Sequence, residues 1–382
     1  MTPGAVYIHI PFCTHKCHYC DFTAYVVGGQ PVDDYLDALE REMARTAAEV
    51  PPGRIHSIFI GGGTPTVLEP QQLEKLFNDI RRHFPDRAPG IEFTVEANPG
   101  TTDPSKLAVM REGGVNRLSF GAQTFRPDLL TKIGRVHTVD DIGHSVEQAR
   151  AAGIDNLSLD LMFGLPEQRV ADMEVALDRS LELEPAHFSV YSLKVEQGTV
   201  FHKQWLQGEL PLPTEDDELE MYQLTRRRLE AAGYHQYEVS NFSRPGMESK
   251  HNATYWLNEP YYGLGAGAHG YVGGWRHQNV KGVSEYIRLT REKRPIADSH
   301  RVPFVEEMEN HLILGLRLLD GLDTRVFRRR YGRDLGDVFG PVVDDLLRRG
   351  FLHTEGERLA LTETGLLFGN EVFASFLGEA VI

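Results

Sequence analysis

The sequence predicts an α/β protein: a parallel barrel of six strand–helix units, followed by a smaller α+β domain. Three observations carry this. Up to Leu193, six short runs rich in β-branched and aromatic residues alternate with helical periodicities, and no hairpin signal separates them, the pattern of parallel strands covered by helices. Glycines and chemically active side chains recur at or just beyond the carboxyl ends of these runs. A (β/α) barrel gathers those ends on one face, whereas a doubly wound sheet would gather ligands at a single switch point. From about Val302 the periodicity changes to short helices and a hairpin.

In chain order, the first strand spans 6–10, and Asp33 or Asp34 caps a helix on which Tyr35, Leu36, Leu39, Met43 and Val50 keep helical spacing. A strand at 55–60 runs into Gly61-Gly62-Gly63-Thr64-Pro65, and the next helix places Leu73, Leu76, Phe77, Ile80 and Phe84 on one face. Strands follow at 92–97, 117–121, 156–162 and 187–193, separated by helices at 104–112, within 126–152 and at 170–183. Residues 195–213 lose periodicity, and Thr214-Glu215-Asp216-Asp217 has the form of a capping box opening a helix to about Ala232. Residues 251–279, rich in Gly, Tyr, His and Trp, read as a shaped loop region closing a pocket. Helices are expected at 305–319, 325–331 and 340–349, with strands at 351–353 and 358–361 around Glu355-Gly356-Glu357. This last group resembles a winged helix, read here as a lid or partner-docking domain. The expected division is a barrel over 1–200, an extension closing its mouth over 201–300, and a C-terminal domain over 301–382.

A chain of 382 residues exceeds what one hydrophobic core usually serves. Its net charge of −15, from 55 acidic and 40 basic residues, disfavours nucleic acid as a partner. Arg226-Arg227-Arg228 and Arg328-Arg329-Arg330 read as solvated helix faces. The N-terminal residues lack a secretory pattern, and no apolar run is long enough to span a bilayer, so a cytoplasmic protein is expected. Peripheral contact with a membrane is compatible with the sequence.

All three cysteines fall within Cys13-Thr14-His15-Lys16-Cys17-His18-Tyr19-Cys20. Clustered thiolates select zinc, Cu(I) or an iron–sulfur cluster. A zinc knuckle could recruit His15 or His18, but such sites usually take a second ligand pair from further along the chain, and none is evident. Unconnected buried cysteines would explain neither the clustering nor the absence of Cys elsewhere. A [4Fe-4S] cluster held by three cysteines leaves one iron open to a small molecule with its own donors. Free thiols and such a cluster fit a reducing compartment.

The C-x3-C-x2-C spacing with an aromatic before the third cysteine resembles the signature of the radical S-adenosylmethionine (SAM) superfamily. Tyr7-Ile8-His9-Ile10-Pro11-Phe12-Cys13, Gly61-Gly62-Gly63-Thr64-Pro65 and Asp160-Leu161-Met162-Phe163-Gly164-Leu165-Pro166 narrow the likeness to the coproporphyrinogen dehydrogenase branch, and within it to HemW-type heme chaperones. The resemblance implies an incomplete (β/α)6 barrel, a [4Fe-4S] cluster on Cys13, Cys17 and Cys20, and SAM on the open iron, cleaved to methionine and a 5′-deoxyadenosyl radical when the cluster is reduced. It also implies SAM contacts from Tyr7, Tyr19, Gly62, Gly63, Thr64, Glu96, Gln123, Arg135 and Asp160. Arg135 suits the SAM carboxylate through paired N–H donors, Glu96 and Asp160 can accept from ribose hydroxyls or the ammonium group, and glycines let backbone approach a ligand.

His251-Asn252-Ala253-Thr254-Tyr255-Trp256 resembles the H-N-x-x-Y-W segment linked to heme in the HemW-type proteins. An imidazole can ligate heme iron and the aromatics can stack on the ring. His9, His187 and His269 are rival ligands. Gly265-Ala266-Gly267-Ala268-His269-Gly270 matches the dinucleotide fingerprint but lacks the strand-to-helix context, and is expected as a tight backbone passage over the SAM pocket. Coproporphyrinogen dehydrogenases carry a further cysteine where this chain has Phe22, and a longer segment before the first tyrosine. Both departures favour a heme-binding chaperone delivering heme to hemoproteins such as respiratory cytochromes, with no catalytic residue assigned. The alternative is an oxygen-independent coproporphyrinogen III dehydrogenase, and a radical SAM methyltransferase ranks third. Heme and heme-accepting proteins are the expected partners, and a homodimer is compatible with the sequence.

Overall fold

The computed structural model describes residues 2–381. Six parallel strands follow the predicted order: β1 (Ala5–Ile10), β2 (Ile55–Gly62), β3 (Arg87–Ala97), β4 (Arg117–Gln123), β5 (Asn156–Phe163) and β6 (His187–Ser192). Helices α1 (Val32–Glu49), α2 (Pro70–His83), α3 (Pro104–Gly113), α4 (Pro127–Lys132), α5 (Val139–Ala151) and α6 (Val170–Glu182) occupy the crossovers. Strand residues of one parity, among them Ile8, Ile58, Ile60, Val95, Leu118, Leu159 and Phe188, join the apolar core shared with these helices. The other parity is largely polar and faces the barrel interior: Tyr7, His9, Ser57, Glu96, Arg117, Ser119, Asp160 and His187. A strand presents opposite faces at successive residues, so one sequence of alternating character builds both a dry outer core and a polar lumen.

After β6 come α7 (Val200–Leu206) and α8 (Glu215–Ala231), the latter opened by the expected capping box, Thr214 Oγ1 accepting from the Asp217 amide at 3.1 Å. Short strands β7 (His235–Gln236) and β8 (Asn241–Ser243) extend the sheet antiparallel beyond β6.

The segment expected as an irregular loop folds as regular structure. It contains helix α9 (Lys250–Trp256) and strands β9 (Tyr261–Leu264), β10 (His269–Val272) and β11 (Trp275–Asn279). Strand β9 pairs parallel with β1, Ala5 opposite Tyr261 and Ile8 opposite Leu264, and β10, β11 and β12 (Ile296–Arg301) continue antiparallel. The free edge of β1 supplied what local periodicity did not, since strand propensity measures a fit to neighbours more than a local preference. The complete sheet order is β12-β11-β10-β9-β1-β2-β3-β4-β5-β6-β8-β7. Gly265-Ala266-Gly267-Ala268 is therefore a turn between strands, packed on β1, with the Gly265 amide bound by the buried Glu42 carboxylate at 2.8 Å.

Helix α10 (Val283–Leu289) precedes β12, and the C-terminal domain has its own apolar core around Met308, Leu312, Phe327, Phe339, Leu346 and Leu359. It comprises α11 (Phe304–Gly315), α12 (Thr324–Tyr331), α13 (Leu335–Arg348), and the hairpin β13 (Leu352–Glu355) and β14 (Arg358–Leu361). Helices followed by a hairpin match the expected α+β form.

Candidate functional site

The carboxyl ends of β1 to β6 converge on the cysteine loop. Phe12–Cys13 pairs with Tyr25–Val26, and the loop between is pinned to the end of α4. The His18 amide donates to the Ile133 carbonyl at 3.0 Å, His18 Nδ1 meets the Lys132 carbonyl at 2.9 Å, and His15 Nε2 the Gly134 carbonyl at 2.5 Å. Both imidazoles are thus engaged with backbone carbonyls. Burial pushes the Cys13 thiol up and that of Cys20 to about 11.

A hydrogen-bonded chain runs from the first cysteine across three strand ends. Thr64 Oγ1 donates to Cys13 Sγ at 3.6 Å, Asn98 Nδ2 donates to Thr64 Oγ1 at 2.8 Å, and Arg135 donates to Asn98 Oδ1 at 2.6 Å and to the Tyr19 hydroxyl at 2.9 Å. The Arg135 Nε is buried and has no partner. Asn98 was not singled out in the sequence. Its position two residues beyond Glu96, before Pro99, was the available signal.

The three glycines are needed for reasons internal to the protein. A side chain at Gly61 would strike the Glu96 carboxylate, one at Gly62 the His9 ring, and one at Gly63 the backbone of Phe12 and Ile10. Gly62 also has φ +106°, which only glycine adopts cheaply. The amides of Gly62, Gly63 and Thr64 are taken by Glu96 Oε2 at 3.0 Å, the Ile10 carbonyl at 2.9 Å and the Phe12 carbonyl at 2.7 Å. These three donors are used within the protein and fix the loop.

Glu96 and Asp160 lie inside the barrel close enough to repel each other. Burial, then Asp160, pushes Glu96 up to about 7, and burial raises Asp160 against a 3.0 Å hydrogen bond from Ser119. Gln123, nearly buried, sits at φ +65° at the end of β4. A non-glycine residue in the left-handed region is uncommon and marks a locally overdetermined site. Tyr7 is packed between His9, whose Nδ1 meets its hydroxyl at 2.9 Å, and the ring of Phe59.

The four candidate heme-ligating histidines occupy different settings. His251 is 1% exposed, with Nδ1 on Ser57 Oγ at 3.0 Å and Nε2 on the Tyr255 hydroxyl at 2.8 Å. Burial lowers its pKa to about 3. His187 is held the same way by Ser158 and Tyr237, and His9 by Tyr7 and the Thr23 carbonyl. Only His269 is exposed and, among the described residues, free of side-chain hydrogen bonds. The expectation of His251 as an open axial ligand meets a ring with no spare nitrogen. The sequence did not show that Ser57 would lie opposite it.

Residues 7–179 match the Radical SAM superfamily model and residues 305–368 the HemN C-terminal domain. The chain is 50% identical to the heme chaperone HemW of Bacillus subtilis over 98% of its own length and 99% of the relative's. It is 33% identical to that of Escherichia coli over 99% of both. A solved structure of coproporphyrinogen III oxidase (HemN) from Escherichia coli superimposes with a TM-score of 0.86 at 24% identity, covering 98% of this chain and 90% of that one. No helix among the described residues is long and apolar enough to cross a membrane.

Proposed function

The chain belongs to the radical SAM superfamily and, within it, to the heme chaperone HemW family, and from that membership we propose that it carries a [4Fe-4S] cluster and SAM and delivers heme to hemoproteins such as respiratory cytochromes. The observation that carries the cofactor assignment is Arg135, whose buried Nε lacks a partner beside three thiols on one loop. An arginine donor left open there suits a carboxylate brought by a ligand, and the donor set suits a soft multinuclear centre. Cys13, Cys17 and Cys20 would hold the cluster, and Tyr7, Tyr19, Gly62, Gly63, Thr64, Glu96, Gln123, Arg135 and Asp160 would shape the SAM pocket.

A cluster held by Cys13, Cys17 and Cys20 would supply one-electron reducing power toward SAM. The chain's own groups prepare the place. Thr64 donates toward Cys13 and favours its anionic form. Asn98 fixes the Arg135 plane, and Arg135 offsets the negative charge gathered by the thiolates. Glu96 accepts from an ammonium or ribose hydroxyl with the oxygen that Gly62 does not hold. Tyr7 and Tyr19 exclude water from the flanks. For the glycine loop the support is positional: its amides are used internally, so its part is to let the cysteine loop and Glu96 approach.

Anaerobic reconstitution tests this reading. Iron and sulfide should bind in cubane stoichiometry and disappear in Cys17→Ala, and hemin should be taken up without turnover of coproporphyrinogen. Zinc in place of iron would end the cofactor proposal. Decarboxylation of coproporphyrinogen III would replace the chaperone by the dehydrogenase.

A further inference from the structure

Helix α9 carries the histidine–tyrosine–tryptophan run, and its side chains face two separate spaces. His251 and Tyr255, four residues apart and hence on one face, turn into the barrel, where they pack on Phe59 and Tyr261 with ring centroids 5.2 and 4.7 Å apart. Trp256 turns the other way. With Ala253 and Leu257 it borders a cavity of about 1050 Å³ between α9 and the C-terminal domain. That is at the upper end of small-molecule sites, roughly 300–1,000 Å³.

Aromatic residues border the cavity from both sides, Trp256 and Tyr271 from the barrel extension and Phe304 and Tyr331 from the C-terminal domain, and of its apolar lining Leu257, Phe304 and Val326 are exposed. The Trp256 Nε1 is buried and has no acceptor, and the Arg317 guanidinium covers its indole at 4.3 Å. Arg329, Arg330 and Arg358 also border the space. Glu307 pairs with Arg330 at 2.8 Å, whereas Arg329 has no carboxylate partner among the described residues. Glu248, Glu259, Asp320 and Asp323 also stand on the wall, and Asp323 lies in the field of Arg329 without an ion pair to it.

We propose that this cavity, rather than the barrel mouth, receives the heme macrocycle, its apolar body against Trp256, Leu257, Phe304 and Val326 and its carboxylates toward Arg329. The proposal rests on the heme-chaperone reading above and adds the place. Aromatic side chains supply large contact faces with geometric preference, and arginine matches a carboxylate with paired donors. The arrangement also separates cargo from cofactor. The motif helix, with His251 and Tyr255 plugging the barrel behind it, stands between the macrocycle and the cysteine loop, so both ligands can be held at once.

Two variants and one optical signal test it in the full-length, cluster-loaded protein. Val326→Trp fills the cavity from a partly exposed position on α12 and should weaken hemin binding at least tenfold by Soret titration. Arg329→Glu should weaken it about fivefold, while iron, sulfide and SAM binding stay at wild-type values in both. In a Trp205→Phe, Trp275→Phe background, one equivalent of hemin should quench Trp256 fluorescence. Wild-type hemin affinity in Val326→Trp, with unquenched Trp256, overturns the location while leaving the chaperone reading intact. Failure of the wild-type protein to take up hemin overturns both.

Discussion

Arg135 donates to the Tyr19 hydroxyl at 2.9 Å, tying the residue beyond α4 to the tyrosine between the second and third cysteines. The same guanidinium reaches Asn98 at 2.6 Å. Arg135→Met should therefore lower SAM affinity by tenfold or more, since charge-assisted hydrogen bonds are worth about 1.5–3 kcal/mol each, while the cluster still assembles on its thiols. Anaerobic equilibrium dialysis with labelled SAM, alongside iron analysis, checks this. Unchanged SAM affinity would remove Arg135 from the pocket.

Glu42 gives stability a pH dependence of calculable sign. It is 1% exposed and accepts from Gly265, Asn279 and Tyr286, yet burial outweighs these donors and pushes its pKa up to about 7. An acid raised on folding keeps its proton longer in the native state than in the unfolded chain. Its contribution is thus fully present below about pH 4.5 and is lost as pH rises to about 7. Over that window wild type should lose on the order of 3 kcal/mol relative to Glu42→Gln, read from urea midpoints at several pH values. A gap that stays constant with pH would show that Glu42 ionises normally.

Gly62 and Gly273 provide a paired test of the loop. Both have positive φ, +106° and +60°, but a side chain at Gly62 meets the His9 ring at 2.3 Å, whereas Gly273 has open space. Gly62→Ala should cost several kcal/mol and SAM binding with it, against about 1 kcal/mol for Gly273→Ala. Equal thermal midpoints for the two variants would contradict the packing described here.

His251→Ala leaves the Ser57 and Tyr255 hydroxyls unpaired and opens a void against Phe59. A loss of about 2–4 kcal/mol follows from these two costs, measured by denaturant unfolding. Where the variant is folded, its hemin affinity should change less than that of Val326→Trp. The reverse order would return the axial role to His251.

The barrel was legible because its strands are short runs with apolar outward faces, alternating with helical periodicities, and because glycines or polar groups recur at their carboxyl ends. Cys13 to Cys20, Glu96 and Asp160 could be placed on one face from that rule alone, whereas Arg135, beyond α4, came only from the family resemblance. Three things were not legible. Strand β9 depends on the open edge of β1, far away in sequence, so no local pattern announces it. The pairing of His251 with Ser57, like that of His187 with Ser158, depends on which residues meet across the lumen. Arg117, 2% exposed and buried among the lumen's polar groups, read simply as the start of a strand.

The parallel pairing of Ala5 with Tyr261 bears on how the chain is made. During synthesis the first strand leaves the ribosome long before the residues that will lie along one of its edges, and pairing across so great a sequence separation is intrinsically slow. Until residues 261–264 arrive, that edge stays open on the strand that leads into the three thiols. Completion of the sheet is then a late event, and a nascent chain stalled before β9 would present both an adhesive strand and three oxidisable sulfurs.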